Sequence, residues 1–353
     1  MKKFMIALLM IVTVGGISYL SFFLYEQNKP SKLESMGYTE DEIEIITSYL
    51  TEEQIKEIEQ KNYDVIIPEL LTNDAFQFPL LDRYLDYAKE NEEVAPDEII
   101  LLVNHNIDEL EIPYQKEIRS FISQDYFIEE NLERYLNYQK SHTDKTYRDI
   151  VQEVNVHIDY PFYEYDIESD FSKGNLIIAN KYYTLGADFV PDDLVTLTEC
   201  TRANQQVTQE TKEAYTNMCR AMKTEGLNLI ATSTYRSYQT QVVLYNRYVS
   251  QHGREWADSC SSRAGHSEHQ TGLTIDVITP TTDFSTFEST EEFAWLQEHA
   301  HEYGFILRYP EGKTYLTGYD YEPWHYRYVG VETATKIHEL GITYDEYYEY
   351  FVK

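Results

Sequence analysis

Basic residues are scarce in this chain. Lys and Arg total 29 against 61 Asp and Glu, a formal net charge of −32 over 353 residues. The deficit is steepest upstream: residues 1–200 carry −24 and the remainder −8. A surface this acidic repels phosphate backbones, so a nucleic-acid partner is excluded. Cysteine is scarcer still, with only Cys200, Cys219 and Cys260. That rules out a scaffold built from disulfides, and none of the three has the close-spaced Cys or His partners of a structural zinc cluster. Their pairing is not readable from their spacing. What the chain does have is apolar and aromatic residues, 42% and 14%, with 33 tyrosines. Wholesale disorder is excluded, and the length suits two or three modules.

Only one long stretch lacks charge. After Met1-Lys2-Lys3, residues Phe4 to Tyr25 form an uncharged run of 22, about 33 Å of helix and enough for a bilayer core. The two lysines place the start on the cytoplasmic side. The expectation is an N-terminal membrane anchor over residues 1–30 and a single-pass protein with its remainder extracytoplasmic, or a secreted one if the segment is cleaved.

Residues 31–160 read as an acidic, mainly helical region. Thr39 with Glu42, and Thr51 with Gln54, have capping-box spacing. Shifting the chain by 51 positions aligns residues 63–108 with 114–159 without gaps, with 15 identities in 46 positions. The sharpest matches are LDRYLDY against LERYLNY. The region is an internal duplication. Its Leu and Tyr residues at i, i+3 and i+4 define a packing stripe; alternatively its tyrosines grip glycan or peptide strands by stacking. The region serves as a spacer or sensor, and no metal is read from its scattered histidines. Residues 161–174 break the pattern as a linker. Leu176–Ala179 then reads as a strand opening a module over residues 175–353.

That module carries the chemistry. Leu227–Ser233 alternates as a strand and hands over to Tyr235-Arg236-Ser237 at the start of a helix. Further on, AGHSEHQTGLTIDVITP (Ala264–Pro280) ends in a strand containing Asp276, seven residues after His269. A carboxylate among aliphatic neighbours must be paired or metal-bound, and a turn brings His269 and Asp276 to one zinc. EPWHYRYVG supplies His325 as a third ligand. Three protein ligands leave zinc a position for water, and Glu322, three residues before His325, has the position of general base. Taken singly, Glu322 and Arg327 also read as a surface ion pair. A capping box is expected at Ser289 and Glu292.

The module resembles the VanY-type D-alanyl-D-alanine carboxypeptidases, zinc peptidases related to the D-Ala-D-Ala dipeptidases and to the Hedgehog fold. The resemblance rests on S-x-H-x-x-G-x-x-x-D at Ser267, His269, Gly272 and Asp276, on E-x-W-H at Glu322, Trp324 and His325, and on Y-R-S-x-x-x-Q at Tyr235, Arg236, Ser237 and Gln241. It covers about residues 174–350. It implies zinc held by His269, Asp276 and His325, Glu322 as base, and Arg236 stabilising the oxyanion. Gln241 and Ser267, with Tyr235 and Ser237 beside Arg236, are assigned to substrate. The implied fold is α+β, a small and mostly antiparallel sheet with flanking helices. The implied substrate is the peptidoglycan stem peptide, cut at its C-terminal D-Ala. An L,D-carboxypeptidase, an L,D-endopeptidase and a non-enzymatic wall-binding module remain alternatives. Thr234, Ala264 and Thr274 depart from common family residues, which affects subsite shape rather than metal binding.

Overall fold

The computed structural model describes residues 31–110, 112 and 115–353. Two compact units part between Arg119 and Ser120. The boundary expected near residue 160 therefore falls inside the downstream unit, which takes in most of the second repeat. Residues 161–174 are more than a linker, since they include strand β1 (Ile167–Glu168), which pairs in parallel with β2 (Tyr183–Thr184). Among the described residues no helix is long and apolar enough to cross a membrane. The described residues form an α+β fold in which no membrane helix is found, and the fold expectation is corrected to that. The anchor expected over residues 1–30 lies outside the described residues, and the membrane partner and single-pass placement built on it are not carried forward.

Both early capping boxes form, with Thr39 and Thr51 hydroxyls accepting the Glu42 and Gln54 amides. The duplication is explained by the bonds its identical residues make. In the first copy, Arg83 donates to both Asp108 oxygens at 2.8 and 2.6 Å. Tyr84 Oη donates to Asn104 Oδ1 at 2.5 Å, and Asn104 Nδ2 donates to Ala75 O at 2.9 Å. In the second copy, Arg134 donates to Asp159 at 2.9 and 2.5 Å. Tyr135 bonds Asn155, whose Nδ2 donates to Tyr126 O at 2.9 Å. Each pair joins two helices through a buried tyrosine and an orienting asparagine, which is why these positions match. Tyr84 and Tyr135 are fully buried, so these two rings belong to the core, whereas Tyr63 and Tyr126 of the repeats are exposed. The second copy also packs on the C-terminal segment, with Gln152 Nε2 donating to Glu346 at 3.0 Å and Tyr126 stacked on Tyr350 at 4.1 Å.

The downstream unit is built on a four-stranded antiparallel sheet in the order β5 (Ile230–Ser233), β6 (Thr274–Ile278), β8 (His325–Tyr328), β7 (Phe305–Leu307). A smaller hairpin pairs β3 (Leu194–Thr196) with β4 (Gln206–Thr208). Alternation along β6 and β8 gives the sheet two different faces. Ile275, Val277 and Tyr326 join a core with Tyr215, Met218 and Met222 of helix Gln209–Thr224 and with Phe293 and Leu296 of helix Glu291–His299. Thr274, Asp276, His325 and Arg327 occupy the other face. The cap of helix Glu291–His299 is Thr290, not Ser289: its hydroxyl accepts the Phe293 amide at 3.1 Å. Leu176–Ala179 is no strand either. Arg327 Nη2 donates to Asn175 O at 2.9 Å and to Ile177 O at 2.5 Å, so these carbonyls serve a buried guanidinium rather than a ladder.

Gly272 turns the chain from the His269 segment into β6 with φ 69°. A Cβ there would sit 2.9 Å from Leu194 Cδ2 and 3.3 Å from Thr208 Cγ2. Gly272→Ala is therefore expected to cost about 1–3 kcal/mol from the left-handed backbone alone, with the hairpin contact added. Denaturant unfolding of the two proteins measures it; an unchanged midpoint would refute the strain.

Candidate active site

Two of the three expected metal ligands are direct neighbours in the sheet: Asp276 on β6 stands opposite His325 on β8. His269 comes from the short 3-10 turn Glu268–Thr271 just before β6. One ligand atom from each of His269, Asp276 and His325 lies within 4.8 Å of the others. His269 Nδ1–H donates to Thr234 O at 2.7 Å, which leaves Nε2 as the lone-pair nitrogen, 3.3 Å from Asp276 Oδ2. His325 turns Nδ1 toward Asp276 Oδ1 at 3.1 Å and Glu322 Oε2 at 3.3 Å. Asp276 Oδ1 is buried and makes no hydrogen bond despite that closeness. The donor atoms thus converge on a common point instead of pairing with each other, as ligands of a cation do.

Electrostatics agree. Burial and the nearby Arg236 pull the His269 pKa below its ordinary value, so the ring is held neutral. Burial opposes charge on Asp276, but His269 and His325 hold its carboxyl far below the usual range. Burial likewise opposes charge on His325, yet the carboxylates of Asp276, Glu268 and Glu322 push its pKa well up. Three carboxylates around one imidazole call for positive charge at this point, and two imidazoles with one carboxylate are a donor set suited to zinc. Glu322 differs from Asp276: burial dominates and raises its pKa.

These residues lie in a cleft of about 550 Å³. Arg236, Ser267 and Glu322 line it with the triad, as do Arg247 and Tyr248 of helix Tyr238–His252. Trp324 and Phe284 form one wall, their rings 5.0 Å apart. Arg236 donates through Nη1 to Gln241 Oε1 at 2.7 Å and through Nη2 to Ser233 Oγ at 3.0 Å. Three residues assigned to substrate, Gln241, Ser237 and Tyr235, are not among those lining this cleft. Gln241 is buried behind the wall, its amide donating to Ser262 O at 2.6 Å. Ser237 caps helix Tyr238–His252 by accepting the Thr240 amide at 3.3 Å. Tyr235 is held through its backbone, N donating to Gln206 O at 2.9 Å. They shape the wall that presents Arg236.

Glu268 and Arg308 were missed. Glu268 Oε1 accepts from Arg308 Nε at 2.8 Å and lies 3.0 Å from Arg327 Nη1, while Oε2 is 3.9 Å from His325 Nε2. Arg308 also forks onto Asp345 at 2.6 and 3.0 Å. All four charged groups are almost fully buried. Arg327 is therefore no surface partner of Glu322. A charged residue between Ser267 and His269 was a signal in the sequence, but its partner lies 40 residues away.

An antiparallel sheet that gathers two histidines, an aspartate and a buried glutamate in one cleft defines a zinc metallopeptidase. The family model for D-alanyl-D-alanine carboxypeptidase (VanY) matches residues 204–331. YodJ of Bacillus subtilis (strain 168) is 39% identical over 182 residues, covering 49% of this chain and 67% of YodJ. A D-alanyl-D-alanine carboxypeptidase of Enterococcus faecium is 35% identical over 193 residues, covering 52% of this chain and 60% of that protein. Among solved structures, the LdcB LD-carboxypeptidase shares 36% identity over 52% of this chain and 90% of its own, at a TM-score of 0.49. The chain belongs to the VanY family of D-alanyl-D-alanine carboxypeptidases.

Proposed function

We propose that this protein is a zinc-dependent D,D-carboxypeptidase that removes the terminal D-Ala from peptidoglycan stem peptides. The observation that carries the reading is Glu322, buried beside the His269–Asp276–His325 triad in a cleft that also holds two arginines. His269, Asp276 and His325 would hold the zinc, which when bound would polarise the scissile carbonyl and make water more acidic. Glu322 takes a proton from the attacking water and returns it to the leaving amine. Burial raises its pKa above the ordinary glutamate value, which favours return of the proton to the leaving group. Arg236 faces the developing oxyanion, fixed in place by Gln241 and Ser233 so that it need not reorganise during the reaction. Ser267 lies at the terminal residue of the peptide, and a cationic wall of Arg236 and Arg247 favours a substrate with a free carboxylate.

The test is D-Ala release from muropeptides ending in D-Ala-D-Ala and, separately, in L-Lys-D-Ala, with zinc measured on the same sample. Release from the pentapeptide is expected. Release from the tetrapeptide alone would make the enzyme an L,D-carboxypeptidase; a zinc-loaded protein that releases nothing from either would refute carboxypeptidase activity.

A further inference from the structure

Lys181 is the buried cation that the chemistry above leaves unused. It is 0% exposed. Its Nζ lies 3.5 Å above the Tyr319 ring and donates to Tyr163 Oη at 3.0 Å and to the Asp258 carbonyl. Phe162 closes the cage, with Nζ 5.6 Å from its ring centroid. The cage has no slack: a Cβ on Gly318 would meet Lys181 Cγ and Phe162 Cζ at 3.0 Å each. Asp258 cannot neutralise the ammonium on its own, because Arg263 holds its carboxylate at 2.8 Å and Tyr245 Oη donates to it at 2.6 Å.

A hydrogen-bonded chain leads from this cage into the cleft. Tyr163 Oη lies 3.3 Å from Tyr319 Oη, which lies 2.7 Å from Ser262 Oγ. The Ser262 carbonyl accepts from Gln241 Nε2 at 2.6 Å, and Gln241 Oε1 accepts from Arg236 Nη1 at 2.7 Å. Tyr319, Ser262 and Arg236 all line the cleft. Building on the proposed function, we infer that Lys181 is a positioning residue: from behind the wall it fixes Tyr319 and Ser262, and through Gln241 it sets where Arg236 meets the substrate. A cation on the face of a phenol ring, without solvent, is an attraction strong enough to hold that ring.

Burial brings the Lys181 pKa down to about 7. The groups acting on it are Asp258, Glu322 and Cys260, which favour its charge, and Arg263, which opposes it. The ammonium is therefore present below about pH 7 and lost above it. As pH rises through that value the hold on Tyr319 weakens and KM for the peptide rises.

The experiment compares the zinc-loaded wild type with Lys181→Met, Tyr319→Phe and the double variant, measuring kcat and KM between pH 6 and 8. Lys181→Met is expected to raise KM about tenfold at pH 6, with kcat far less affected. It should also abolish the rise of KM above pH 7. Tyr319→Phe keeps the ring but cuts the bond to Ser262, so its effect and that of Lys181→Met should be non-additive. A KM unchanged in both single variants overturns the inference, as does an alkaline rise of KM that survives Lys181→Met. If Lys181→Met does not fold, an unchanged KM in Tyr319→Phe is sufficient to overturn it. A wild type that cleaves neither peptide refutes the proposed function, a result distinct from an active wild type whose variants match it.

Discussion

Replacing Glu322 with Gln will leave zinc bound and the fold intact while D-Ala release drops by about 10²–10⁴-fold, the range that general acid–base catalysis contributes. Glutamine keeps the shape of the side chain and can still meet His325 Nδ1, 3.3 Å away, but it cannot accept the proton of an attacking water. The triad's own donors are untouched by the change, so zinc content should equal that of wild type. The pH profile offers a second reading of the same residue. Burial raises the Glu322 pKa above the ordinary glutamate value, and only the carboxylate serves as base. Activity of the wild type should therefore fall as pH drops through that raised value, in a range where exposed glutamates are still ionised. A Glu322→Gln protein within tenfold of wild type would remove the base from the mechanism.

The ligand set was legible in the sequence because β structure makes it so. Asp276 sits in a five-residue apolar strand, and a carboxylate there has few explanations other than a metal or a buried partner. His325 follows a glutamate and a proline at the entry to β8, and register sets it opposite Asp276. The α+β class and the antiparallel sheet followed from the family resemblance that these motifs carry. What was not legible is long-range. Gln241 and Ser237 look like contacts when read beside Arg236, yet their side-chain polar atoms are engaged by Ser262 and Thr240. No local pattern reveals that. Lys181 was passed over for the same reason: its cage is assembled from residues 162, 163 and 319. The unit boundary at Arg119 and Ser120 was hidden because the duplication suggested one continuous repeat region, whereas Gln152, His157 and Tyr126 bond or stack with residues near the C-terminus.

The largest stability effect belongs to Glu268. It is fully buried between Arg308 and Arg327, with the Asp345 carboxylate on the far side of Arg308 and His325 Nε2 3.9 Å away. Glu268→Ala would leave two buried guanidinium groups with one carboxylate, Asp345, which bonds Arg308 alone. Removing one partner of a buried ion pair typically costs about 3–5 kcal/mol. Burial opposes the Glu268 charge, but Arg308, Arg327 and His325 hold its pKa far below the ordinary glutamate value. A depressed folded-state pKa means stabilisation that is present at neutral pH and shrinks as pH falls below the unfolded glutamate value. The stability gap between wild type and Glu268→Ala should accordingly narrow in acid. The same carboxylate lies 3.9 Å from the non-ligating nitrogen of His325, close enough for an ion pair but not a hydrogen bond, so its loss removes an outer charge partner of that ring. Outer partners of ligating histidines are worth about 10–100-fold in metal affinity. Denaturant unfolding of the zinc-free proteins at neutral and acid pH isolates the stability term, and chelator competition isolates the affinity term. An alanine variant within 1 kcal/mol of wild type at neutral pH, by the measure of buried pairs, would mean that the two arginines find other partners; unchanged zinc affinity would mean that His325 is oriented by β8 alone.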